Sequence, residues 1–363
     1  MIKPFDMGMS VYLDLLRFLA AVAVVMSHVW RLVLPQMPLP WPGHAAVIVF
    51  FVISGYVIAF AADRPGQTAA SYALHRGVRI MSVSIPALLL AACIAPYAGS
   101  YSIPLAGQIP FPPNELWHAI GINLVFLGES WFGRVLPPFN PPYWSLSYEV
   151  WYYAIFGAWV FCPPRWRLAA ASACAVCAGL KIVLLLPVWL MGVAAYRARL
   201  QLDPATAVRL FILTAVLGFG FYWFDLAVKI RSQLMLAAPD FMATLHGSDL
   251  FLGDYVLGSI VATHFIAAAS MRQHFAGLVR AQKPIRYLAS FTLTLYLLHM
   301  PFTVLIWNGL GIHNVAAYAA LLLAAIYAAG SLTERRSRAL RVALERALTA
   351  IGAQSKQGWT GKS

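Results

Sequence analysis

The chain has 363 residues, 61% of them hydrophobic and only 11% charged, with a mean hydropathy of +0.72 and a net charge of +13. Soluble domains carry about 25% charged residues, and so little polar material cannot cover a water-soluble globule. The composition therefore excludes a soluble domain and predicts an all-α, polytopic membrane helical bundle. Nucleic acid is not the expected partner of the positive charge, because the basic residues lie in short segments between apolar runs and in the tail after Ser331.

Apolar length and breaks predict about ten spans, at 11–30, 44–62, 80–98, 143–161, 168–180, 182–196, 206–224, 250–270, 288–307 and 313–333. The first is not expected to be a signal peptide, since it holds Asp14, Arg17 and His28 and lacks a small-residue cleavage site. The fifth and sixth form a tight hairpin around Lys181. Ten spans with the N-terminus cytoplasmic put 20 of the 26 Lys and Arg residues inside and five outside, with Arg17 inside a span. That bias predicts that both termini are cytoplasmic. Two long outer segments follow, 99–142 and 225–249, and loops of that length often shape a site. Within the first, which is rich in proline, Leu116 to Leu127 is apolar but too short to span. Residues 1–333 are read as the membrane domain. Residues 334–363 are read as a basic cytoplasmic tail, an amphipathic helix and then disorder. Cys93, Cys162, Cys174 and Cys177 lie in or beside apolar segments and read as packing residues.

Ionisable groups inside spans are expensive and mark candidate functional positions. Asp14 and Arg17 are three residues apart and can pair on one helical face. His28 follows Arg17 by eleven residues, about 16 Å along the axis and within roughly 20° of the same face. A ligand touching both must be long and thin. In the second span Ser54-Gly55 interrupts an apolar run with small residues, which suits close packing or a kink. Arg76 and Arg79 form an RxxR at the start of the third span, a spacing suited to a phosphate. The fourth opens with Trp144-Ser145-Leu146-Ser147-Tyr148-Glu149, followed by Tyr153. Apart from Asp14, Glu149 reads as the one acidic residue well inside a span. Its depth matches that of His28, so a carboxylate–histidine pair is expected. The ninth span holds Ser290, Tyr296, His299 and Pro301, and His299 either lines the same cavity or is a satisfied interhelical histidine. His264 reads as structural. No zinc, P-loop or GxSxG pattern is present in the sequence, and no metal is expected.

Together these pieces resemble the membrane acyltransferase-3 family. The matching residues are Arg17 and His28 of an Arg-x10-His motif, Phe50 to Gly55 of FFxxSG, and the RxxR at Arg76 and Arg79. Trp144 to Glu149 match W-S-L-x-x-E, and Ser290 to Phe302 match a late S-x5-Y-L-x-H-x-P-F segment. The five occur in the family's order and cover most of the chain. The resemblance implies a multi-pass enzyme of the bacterial cytoplasmic (inner) membrane, commonly with ten spans. It would O-acylate an extracytoplasmic carbohydrate such as a cell-surface or exported polysaccharide, with acetyl-CoA or another acyl-CoA as donor. It also implies that His28 is the catalytic base and that Arg17, Arg76 and Arg79 contact the donor. A C-terminal transfer domain found in some members is not expected here. Transfer is then direct or uses a separate periplasmic or polysaccharide-export partner.

On this reading the coenzyme A head stays at the inner face while its arm threads past Arg17 to His28. Glu149 orients the imidazole, and the developing oxyanion needs a donor. Tyr153, Ser145 and Tyr56 are candidates, and an acyl-histidine intermediate is a second route. Aromatic residues near the outer mouth (Trp117, Trp131, Trp144, Trp151) suit either sugar stacking or an interfacial belt. The same charges also suit a transporter or flippase, with Asp14, Arg17, Glu149 and His299 as a coupling relay. The inner RxxR and the lack of an inverted repeat weigh against it.

Overall fold

The structure is a computed structural model that describes residues 6–33, 41–96 and 113–347. Among these residues it is all-helical, with no strand. Helix α1 runs Met7–Val33, α2 Gly43–Ala62, α3 Ala69–Ile94 and the short α4 Leu116–Leu124. Then come α5 Trp144–Phe161, α6 Pro164–Ala178, α7 Leu180–Arg197 and α8 Pro204–Trp223. Two helices outside the expected spans, α9 Leu226–Ala237 and α10 Pro239–Leu245, lead to α11 Phe251–Ser270. The chain closes with α12 Ala276–Arg280, α13 Gln282–Ala289, α14 Thr292–Thr303 and α15 Val315–Leu332.

Among the described residues, seven helices are long and apolar enough to cross a membrane, and a bent pair makes eight. That pair is α13 with the segment Thr292–Gly309, bent by 46°. Each of the ten expected segments coincides with a helix, but α6 has only 15 residues. The third helix starts at Ala69, so Arg76 and Arg79 lie within it rather than at its entrance. Local chemistry sets these starts. Thr68 and Ser71 form a reciprocal capping box on α3. Asp203 accepts from the Thr206 amide ahead of α8, and Asn314 does the same for Ala317 ahead of α15. Residues 337–347 are helical, and within them Glu345 meets His75 at 3.1 Å. The disorder expected further along the tail falls outside the described residues.

The core centres on α2, which packs against α7, α1 and α11. A Cβ at Gly55 would lie 2.0 Å from the Trp189 carbonyl oxygen, and one at Gly192 would lie 2.0 Å from that of Val52. Only glycine allows the two backbones to approach so closely. Gly192→Ala is therefore expected to push α7 off α2 and lower the melting temperature in detergent by several degrees. An unchanged melting temperature would show that the crossing yields at no cost. The hairpin between α6 and α7 turns at Gly179, with φ of +86°. A Cβ there would meet the Trp131 amide nitrogen at 2.2 Å, so loop and hairpin interlock.

Candidate active site

Five helices converge on a narrow cavity holding about 700 Å³ of space not filled by atoms and partly open to the exterior. Arg17 enters from α1, Arg76 and Arg79 from α3, and Ser54 with its apolar neighbours from α2. Ser145, Glu149 and Tyr153 come from α5, and Thr292 and Tyr296 from α14. Consecutive positions on α2 serve opposite tasks, because Ser54 faces the cavity while Gly55 faces α7.

Three arginines set the electrostatics of one end. Arg17 is paired with Asp14 at 3.1 Å, and Asp14 also faces Arg286 at 3.9 Å. Arg76 Nε is buried with no hydrogen-bond partner among the described residues. Such an orphaned donor is costly unless a ligand takes it. Guanidinium groups one helical turn apart match phosphate oxygens in bidentate fashion. The side chains therefore suit an anionic group such as a phosphate.

Glu149 belongs to this end, which corrects the expected pair with His28. Its Oε1 accepts from Ser54 Oγ at 2.7 Å and from the Tyr153 hydroxyl. Ser54 in turn accepts from Trp189 Nε1 at 3.2 Å. Glu149 is thus a held anion beside three cations, which lessens the expense of burying it. Matching depths along two separate helices was not enough, because neighbouring helices place their residues at different angles round the cavity.

At the next level Ser145 Oγ and the Tyr296 hydroxyl are hydrogen-bonded at 2.6 Å. One turn further along α14 is the histidine pair, with His299 Nε2 3.2 Å from His28 Nδ1 and ring centroids 5.2 Å apart. Neither histidine lines the cavity itself. From Tyr296 to His299 is about 4.5 Å along α14, and from Ser145 to Glu149 about 6 Å along α5. The site is thus a column running from arginines through hydroxyls to histidines.

Proline chemistry sets the upper part. Pro301 cannot donate to the Leu297 carbonyl, as a helix interior requires. Asn140 Nδ2 fills that gap at 3.0 Å from the outer segment. Thr303 Oγ1 donates to the His299 carbonyl at 2.6 Å and so accepts from the Tyr318 hydroxyl at 2.7 Å. The chain then passes into a π-helical turn, Val304–Gly309. Sequence reasoning missed Asn140, although the freed carbonyl implied by Pro301 was a signal for such a donor.

Two expected supporting residues lie elsewhere. Tyr56 is buried edge-on against Tyr196 and Phe265 and does not line the cavity, so it is no oxyanion donor there. Trp144 lies parallel to His44, 6.1 Å away, with Phe51 and Tyr148 edge-on to it. His44 Nε2 contacts both Asp254 oxygens, at 2.9 and 3.0 Å. Asp254 is a buried acid within α11, so Asp14 and Glu149 are not alone in the spans. It is only the fourth residue of its helix, which hid it among end residues. His264 bridges Tyr12 and Thr214 at 2.6 and 2.8 Å, as a structural histidine should.

The fold and site define a multi-pass helical membrane protein with a cation-lined cavity. The chain belongs to the acyltransferase-3 family, whose acyltransferase domain matches residues 10–334. It is 33% identical over 137 residues to the exopolysaccharide production protein ExoZ of Rhizobium meliloti (strain 1021), which covers 36% of this chain and 38% of ExoZ. It is 28% identical over 177 residues to the acyltransferase MdmB of Streptomyces mycarofaciens, covering 44% of this chain and 43% of MdmB. The matches thus span about two fifths of the length of these relatives. No solved structure matches the chain significantly.

Proposed function

We propose that the protein is a membrane O-acyltransferase that moves an acyl group, in the simplest case acetyl, from cytoplasmic acyl-CoA to a hydroxyl of an extracytoplasmic carbohydrate. The observation that carries this reading is the column with Arg17, Arg76 and Arg79 at one end and His28 at the other. The family supports acyl transfer. The name of MdmB, an acyltransferase, supports the reaction class, and that of ExoZ, which serves exopolysaccharide production, supports a carbohydrate acceptor. The topology that goes with it has ten spans in a bacterial inner membrane, both termini cytoplasmic, and α5 and α6 counted as spans. The acceptor, or a polysaccharide-export partner presenting it, would then approach from the outer side.

Arg76 and Arg79 would hold the donor's phosphates, and Arg17 would steer its arm. His28 takes the proton of the acceptor hydroxyl, and the oxygen attacks the thioester carbonyl. The C–S bond then breaks, the ester forms, and the thiolate of CoA leaves with the proton from His28. Of the expected oxyanion donors, Ser145 lies on the histidine side of Glu149, and its partner Tyr296 offers a second hydroxyl there. Tyr153 is committed to Glu149.

The test uses purified protein in liposomes, with acyl-CoA on the arginine side and an oligosaccharide acceptor opposite. Acceptor-dependent CoA release is expected. Arg76→Ala is expected to raise KM for acyl-CoA at least tenfold while kcat stays within about threefold, since a lost charge-assisted bond is worth roughly 1.5–3 kcal/mol. Wild-type protein that is folded but neither binds acyl-CoA nor releases CoA would overturn the donor assignment.

A further inference from the structure

The two rings at the top of the column hold enough hydrogen-bond information to fix their protons. His299 is fully buried in α14, and its Nδ1 lies 3.0 Å from the Leu295 carbonyl oxygen and 2.9 Å from that of Tyr296. A nitrogen facing two carbonyl oxygens must carry hydrogen, because carbonyls only accept. In a neutral imidazole the other nitrogen, Nε2, then presents a lone pair. That lone pair faces His28 Nδ1 at 3.2 Å, and the same Nδ1 faces the Val24 carbonyl at 3.0 Å. Both neighbours of His28 Nδ1 are acceptors, so it carries hydrogen as well. The remaining nitrogen of His28, Nε2, keeps a lone pair with no hydrogen-bond partner among the described residues.

We infer that His299 is the positioning residue for His28: its Nε2 shares the single Nδ1–H of His28 with the Val24 carbonyl and leaves Nε2 of His28 as the atom that takes the acceptor's proton. This rests on His28 being the base in the function proposed above. It gives His299 the task that a carboxylate performs in a serine-hydrolase triad, holding tautomer and ring orientation. A neutral partner suits the place, since a second charge in a buried helix interior would be expensive. The rest of α14 serves the same end. Asn140 secures the Leu297 carbonyl and Thr303 that of His299, so the helix keeps its register through Pro301 and the His299 ring cannot drift. The Val24 bond lies within one turn of α1 and does not tie the ring to another helix.

The experiment has two readouts. First, ¹⁵N spectra of histidine-labelled protein in bilayers, with the His28 signals assigned by difference from His28→Ala, report which nitrogen is protonated without any turnover. Wild type is expected to show His28 protonated at Nδ1 and bare at Nε2; the opposite tautomer, or a mixture, overturns the inference. Second, His299→Ala is expected to lower kcat at least tenfold with KM for acyl-CoA unchanged, and His299→Gln, whose amide oxygen can accept the same hydrogen, should recover most of the loss. If both variants have wild-type kcat, or if glutamine is as poor as alanine, His299 does not act through His28. The spectra stand even if no acyl-CoA is turned over, so a failure of the tautomer assignment is separable from a failure of the acyltransferase reading.

Discussion

His28→Ala is expected to reduce acceptor-dependent CoA release by about 10²–10⁴-fold, the usual contribution of a positioned general base, while acyl-CoA still binds. The two effects separate because of where the residue stands. His28 lies beyond the Ser145–Tyr296 pair and does not line the arginine cavity, so its loss leaves the phosphate-binding groups in place. A sugar hydroxyl attacks a thioester poorly unless its proton is removed as the new bond forms, and the other imidazole lone pair at that level, on His299 Nε2, is turned to His28 Nδ1. The check is steady-state CoA release beside equilibrium binding of acyl-CoA to the same preparation. A variant with wild-type rate would remove His28 from the chemistry. A variant that loses binding more than a few-fold would place His28 at the donor instead. The arginines should give the opposite pattern, with KM affected and kcat largely spared.

The second large effect is on folding. Glu129→Ala is expected to destabilise the protein by about 3–5 kcal/mol, the typical penalty for stranding one member of a buried ion pair. Lys181 Nζ lies 2.8 Å from Glu129 Oε2, and the two side chains are 0% and 1% exposed. The ammonium also donates to the Gly133 carbonyl, and Arg134 stands 3.9 Å from the other carboxylate oxygen. Without the carboxylate, a fully buried cation keeps only one carbonyl. The same residue is held from a third direction, since Ser248 Oγ donates to the Lys181 carbonyl at 2.9 Å and meets the Tyr148 hydroxyl at 2.9 Å. The pin therefore joins the outer segment to α7 and α5. Because that segment carries Asn140, loosening it should also disturb α14 and lower the rate. Thermal unfolding in detergent measures the first effect. The double change Glu129→Gln with Lys181→Met, which removes both charges together, should restore most of the stability. Equal instability in the single and double variants would show that packing, not the stranded charge, is responsible.

Much of this was legible in the sequence. Apolar length and breaks located the helices, because lipid leaves a spanning backbone no choice but to satisfy itself. Arg17, Arg76, Arg79, Ser54, Ser145, Glu149, Tyr153 and Tyr296 stood out as polar groups in apolar runs, and the fold gathers all of them round one cavity. What sequence spacing cannot supply is the angle at which one helix faces another. Glu149 matched His28 in depth, yet Ser54 and Tyr153 hold it beside the arginines, and His299 takes the place at His28. Tyr56, two residues from Ser54, is turned away from the cavity towards Tyr196 and Phe265.

The sequence by itself determined which segments are helices, which residues carry charge into them, and the axial distance from Arg17 to His28, since these follow from helical rise and the expense of polar groups in lipid. Only the tertiary structure decided which polar groups meet. Lys181, read as the turn of a tight hairpin, is a buried pin, and Asn140, from the proline-rich outer segment, meets the carbonyl freed by Pro301. Hydrogen bonds act over about 3 Å, so partnerships depend on the rotation and bend of whole helices, which no single helix's sequence specifies.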